Sequence, residues 1–215
     1  MAQTSAQPPA GLTPEAEESG FYHEAGLNAA WTGARLGIGA MSFGFGAFVF
    51  AYFYLRSLNS HGRWYPSTLT GPHLWIGTLI MGLIVVSAAV QTATLQRIKA
   101  GHKAAWQRGA VVALVLGLAA VGLQIGEMLY LPFFPGAAGF ASVFTGFYPV
   151  YLFVALMVMI WLEILIMRCR PIPEMSFVEA FAVQRFQAAL SAFTVVWNYL
   201  AAVAIVAWVL FYLIH

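Results

Sequence analysis

Apolar residues in this chain come in long unbroken runs, not in the short amphipathic stretches of a soluble fold. Five runs lie at roughly 36–57, 74–96, 109–131, 141–167 and 187–213. Each is about 20 residues or longer, enough to cross a hydrocarbon layer of about 30 Å at about 1.5 Å per residue. Lipid offers no hydrogen bonds to an open strand edge, so the runs are expected to be helices. They lack the two-residue alternation of an outer-membrane barrel. The expected fold is an all-α integral membrane domain of five transmembrane helices over residues 31–215. Residues 1–30, with Pro, Ala and Glu and no Lys or Arg before Arg35, are expected to form a flexible tail, within which His23-Glu24 could cap or dock. The tail lacks the basic and apolar regions of a cleaved signal peptide.

Polar breaks and charges set the orientation. Pro66, Pro72, Pro132 and Pro135 mark one set of connections, Pro171 and Pro173 another. Arg35, Arg97, Lys99, Lys103, Arg108, Arg168, Arg170 and Arg185 all fall on one side of a five-span arrangement; only Arg56 and Arg63 fall on the other. Basic residues favour the cytoplasmic side, so the N-terminus is expected inside and the C-terminus outside. The basic loop 97–108 reads as a topology signal. No internal repeat of the transporter kind is evident.

Composition agrees. The chain is 61% hydrophobic and 8% charged, with a net charge of +2. Its surface cannot be covered by charge, and its few bases are clustered at helix ends, so no nucleic-acid partner is expected. A single cysteine, Cys169, rules out an internal disulfide; a silent thiol near the inner surface is expected, with palmitoylation as the alternative.

Candidate chemistry is sparse. The five histidines are His23, His61, His73, His102 and His215, in the tail, in loops or at helix ends. Haem in a membrane bundle is commonly held by axial His or Met on facing helices. Met41, Met81, Met128, Met157 and Met159 read as packing residues. No catalytic residue, metal site or cofactor site is expected in this chain. Proton transport needs titratable groups through the midplane, and only Ser42, Ser87, Gln91, Thr194 and Asn198 are placed there. Two acids lie in the runs. Glu127, about 18 residues and so about 27 Å into the third, is expected near the outer interface with Gln124 one turn before it, paired with a neighbouring helix or snorkelling to headgroups. Glu163 is expected to pair with Arg168 or another inner base.

Small residues indicate where helices approach. Gly33, Gly37, Ala40 and Gly44 form one stripe on the first helix, and Gly122 and Gly126 a GxxxG pair on the third. Trp64-Tyr65-Pro66 and Trp75 read as interfacial anchors.

An ordered series of short motifs adds a family. Gly46-Ala47-Phe48-Val49-Phe50-Ala51-Tyr52-Phe53 precedes Trp64-Tyr65-Pro66. Gln124-Ile125-Gly126-Glu127 follows, then Thr145-Gly146-Phe147, then Val195-Val196-Trp197. From about residue 35 onward the chain resembles subunit III of the haem–copper terminal oxidases (the cytochrome c oxidase subunit III family) in a divergent five-helix form. Tyr148 and Tyr151 stand where that family usually carries His. Ser191 and Thr194 stand where its last helix usually carries His and Asp. In an ungapped match Ala40 replaces an acid that the family associates with lipid binding and proton uptake.

The resemblance implies a non-catalytic component of a cytochrome c or quinol oxidase complex in the respiratory chain. Haem and copper would sit in subunit I; this chain would pack beside it, bind phospholipid and support turnover and proton uptake. Gln124, Glu127, Tyr148 and Tyr151 are then expected at a lipid or subunit contact. The expected location is a bacterial plasma membrane, the partners other oxidase subunits and membrane lipids. Two other readings stay open: an accessory subunit of a nitric oxide reductase or other respiratory complex, and a small membrane carrier or channel.

Overall fold

The structure, a computed structural model, describes residues 14–58, 62–171 and 181–214. Residues 1–13, His61, Pro173, His215 and the side chains of His23 and Glu24 lie outside the described residues. Five helices follow one another: α1 Pro14–Ser57, α2 Leu74–Lys99, α3 Lys103–Leu129, α4 Gly139–Cys169 and α5 Phe181–Trp208, the last extended by a π turn, Val209–Leu213. All five are long and apolar enough to cross a membrane, over 28–57, 74–99, 103–129, 139–169 and 183–213. The sequence places the same five elements. The third run is shifted toward the C-terminus, at 109–131 against 103–129, and the other bounds agree to within a few residues except at the start of the first.

That exception has a local cause. α1 starts at Pro14, so the segment expected to be a tail is helical from there on. Pro costs nothing at a first helical position, and the Ala, Glu and Leu content of 14–30 favours helix although it is too polar to register as an apolar run.

Helix pairing follows a three-four spacing. On α2 the inward positions are Gly77, Ile80, Ile84, Ser87, Gln91, Thr94 and Ile98. On α3 they are Lys103, Trp106, Ala110, Ala113, Gly117, Ala120, Gln124 and Glu127. This spacing is that of helices crossing at a shallow angle in left-handed bundles. Gly101, at φ +84°, makes the tight turn between the two helices. The His102 N–H reaches the Arg97 carbonyl and the Gly101 N–H that of Ile98, which satisfies the end of α2. α5 then wedges between α2 and α1, α4 lies between α3 and α1, and α4 meets α5 in the middle. α1 is peripheral: 11% of its most apolar stretch is buried, against 50% for α5.

The two ends are closed differently. At the basic end the Lys103 ammonium donates to the Arg170 carbonyl at 3.1 Å, capping α4 where carbonyls lack partners. At the other end α4 has no side-chain cap; its first N–H groups bond the Arg63 and Trp64 carbonyls of the loop between α1 and α2. Trp64 is therefore buried, with its ring 4.9 Å from Tyr52 and 6.0 Å from Phe140. It is a packing residue and not the exposed anchor expected. Trp75, largely exposed, keeps that position.

Candidate functional site

Polar side chains inside an apolar bundle must find partners or pay for leaving water. The densest group of them lies near the end of α3. Glu127 Oε2 accepts from Gln124 Nε2 at 2.9 Å and from the Tyr212 hydroxyl at 2.7 Å. The Tyr148 hydroxyl interacts with that of Tyr212. Glu127 Oε1 is buried without a hydrogen-bond partner. Tyr151, one turn beyond Tyr148, donates to the Leu200 carbonyl of α5 at 3.1 Å. A cavity of about 20 Å³, room for one water, lies against Gln124, Tyr148 and Tyr151. The group thus ties α3, α4 and α5 together, from the Leu200 carbonyl to Tyr212 on α5.

Tyr212 reaches this group from the π turn that ends α5. In α5 the inward positions run Leu190, Phe193, Trp197, Leu200, Ala204, Ala207 and Phe211 at three-four spacing. Tyr212, within the π turn, is buried beside Phe211. Its ring fills the place where a β-carbon on Gly77 would stand. Helical period alone places Tyr212 on the buried face of α5, five turns after Thr194, but does not show that Glu127 is its partner.

Gln124, Glu127, Tyr148 and Tyr151 were expected at a lipid or subunit contact. Their side chains are instead 3–8% exposed and engaged within the chain. The small residues divide similarly. No atom of the described residues comes within 4 Å of a β-carbon placed on Gly33, Gly37, Gly44, Gly122 or Gly126, and Ala40 is exposed. Ala40, Gly44 and Gly122 face out of the chain, whereas Gly33 and Gly37 line a cleft of about 320 Å³ against Trp161 of α4 and Val196 of α5. The close approaches are at Gly109, against Thr94, and Gly117, against Met159 and Trp197. The signal for them was the seam Ala110, Ala113, Gly117 and Ala120, which three-four spacing picks out where GxxxG does not.

Further polar links cross the middle of the bundle. Trp197 Nε1 donates to Ser87 Oγ at 3.1 Å, and Ser87 donates to the Ala113 carbonyl at 2.6 Å, joining α5, α2 and α3. Thr194 returns its proton to the Leu190 carbonyl at 2.8 Å. Gln91 is fully buried with both amide atoms unpartnered. Glu163 is exposed and makes no ion pair with Arg168 among the described residues. A separation of five residues puts the two well apart around the helix, where three or four would align them.

A second feature is a cleft of about 250 Å³ between α1, α4 and α5. Phe45, Phe48, Val49, Phe147, Val203 and Leu210 are among its walls. Its polar members, Ser42 and Tyr199, bond each other at 2.9 Å. It presents an apolar wall with no spare charge, suited to a hydrocarbon chain. Cys169 is buried, so its thiol is not presented for acylation. Outside the spans, burial pushes the Tyr65 hydroxyl up, leaving it a neutral phenol at physiological pH. Among the described residues no three His, Cys, Asp or Glu side chains gather as a metal site. No protein-family model matches this chain, and no curated protein matches it either.

Proposed function

We propose that this chain is a non-catalytic accessory subunit of a respiratory haem–copper oxidase, resembling subunit III, and that it packs beside the haem-bearing subunit I in a bacterial plasma membrane. In this reading haem and copper belong to the partner, and the chain supplies a rigid apolar surface and lipid sites. The N-terminus lies inside, because eight of ten basic residues group at the end shared by the α2–α3 turn and the close of α4.

One observation carries the reading. The motifs behind the resemblance are far apart in sequence, yet they meet in space. Phe48 stands 5.7 Å from Phe147, and Gly146 lies against Phe48. Trp64 packs on Tyr52. Gln124 and Glu127 join Tyr148, which directly follows the Thr145-Gly146-Phe147 motif, through Tyr212. Trp197 closes on Gly117 and Ser87. A subunit with no redox chemistry of its own is expected to keep the residues that fix its helices, and these are such residues. The cleft between α1, α4 and α5 then suits one acyl chain of a bound phospholipid.

Removal of the chain tests this. Membranes lacking it should start oxygen reduction at a normal rate and lose activity over repeated turnovers. Oxidase activity indistinguishable from that of complete membranes, at first and over time, would refute the proposal.

A further inference from the structure

Asn198 lies at the centre of α5, fifteen residues from either end of the span Val183–Leu213, and its side chain is exposed. At about 1.5 Å per residue it is about 22 Å from either surface, beyond the reach of water or a lipid headgroup, and Asn is too short to snorkel. Its amide has two N–H donors and a carbonyl with two lone pairs. Among the described residues it hydrogen-bonds only Thr92. Asn198 Nδ2 donates to Thr92 Oγ1 at 3.0 Å, and Oδ1 lies 3.2 Å from the same hydroxyl. Thr92 has one proton to give, and the Ala88 carbonyl at 2.9 Å competes for it. One N–H and at least one lone pair of Asn198 therefore face hydrocarbon, which can satisfy neither.

We infer that this α2–α5 face is a self-association surface, on which two copies of the chain meet through their Asn198 amides. Copies in one membrane are related by a two-fold axis along the bilayer normal, which sets each residue opposite itself at the same depth. The amide is its own complement: each carbonyl accepts from the other's free N–H. A different partner would have to offer a donor and an acceptor at that one depth. The surroundings permit the approach that so short a side chain requires. Ala202, one turn after Asn198 at the border with the α1–α5 cleft, and Ala89, one turn before Thr92, are both exposed. Val195 and Ile205 continue the stripe above and below.

The test uses the full chain in its own membranes with its native partners. In a Cys169→Ser background, Val195→Cys and Ala202→Cys report on this face with Asn198 intact, and Phe153→Cys reports on the exposed face of α4. On oxidation the first two should give a disulfide-linked band at about twice 23.4 kDa, and the third none. Adding Asn198→Leu should lower the yield at least about threefold, and Asn198→Gln should preserve it. Three results would overturn the inference: no dimer from either α5 reporter, a band containing a different polypeptide, or a yield insensitive to Asn198→Leu. If Asn198→Leu does not accumulate, the reporters on intact Asn198 still decide. Because the surface does not depend on a haem-bearing partner, a cross-linked dimer without one would support it while refuting the oxidase reading.

Discussion

Tyr212 donates its hydroxyl to Glu127 across 2.7 Å and 85 residues of sequence, and that bond joins the end of α5 to the end of α3. Gln124 supplies the second donor to the same carboxyl oxygen. A carboxyl near a helix C-terminus sits at the unfavourable end of the dipole, so these donors matter more than they would elsewhere. Tyr212→Phe should cost about 1–2 kcal/mol of stability, read as a lower unfolding midpoint in detergent. Combined with Glu127→Leu, the two losses should be less than additive, because each removes the same bond. Strict additivity would show that the bond is not formed.

The seam of α3 gives a sharper contrast. Gly117 faces Met159 and Trp197, whereas Gly122 faces out of the chain. Gly117→Leu should destabilise by about 1–3 kcal/mol through overpacking, and Gly122→Leu should stay within about 0.5 kcal/mol. Comparing the heat resistance of the two purified variants decides it. Equal losses would mean that Gly122 is also covered, by another chain.

The Trp197–Ser87 bond predicts a coupling. Ser87→Ala strands the indole N–H, and Trp197→Phe removes it. A double-mutant cycle should give about 0.6–1.7 kcal/mol between them, the range for hydrogen bonds within membranes.

Much of this architecture was legible because a bilayer demands long apolar runs, and Leu, Val, Ala and Phe supply them plainly. Five helices and most of their ends follow from that demand. What the helices turn toward one another was less legible. That Glu127 pairs with a neighbouring helix was legible, but not that its partner is Tyr212 of α5, 85 residues away. Gly122 and Gly126 match a packing motif by spacing but lie off the buried seam, which is fixed by where α2 and α4 happen to sit. Trp64 resembles an interfacial anchor until the loop that carries it folds over the start of α4. Each of these depends on contacts between distant segments, and a helical period alone does not report them.

Cys169 is covered at the basic end of the bundle, where Lys103 caps α4. A maleimide that crosses membranes should leave it unmodified in native membranes and label it fully after denaturation in SDS. Rapid labelling of the native chain would mean that the Lys103 contact opens freely.

Orientation can be checked with the same reagents. In a Cys169→Ser background, Arg63→Cys should react with an impermeant maleimide added outside intact cells, and Lys99→Cys should react only after the cells are opened. The reverse pattern would invert the assignment drawn from the basic residues.

Solubilising the tagged chain in mild detergent, separating it by native electrophoresis and recording a reduced-minus-oxidised spectrum of its band tests the oxidase reading most directly. The spectrum should show haem, in a complex far larger than the 23.4 kDa chain. A band free of haem, holding only copies of this chain, would contradict it.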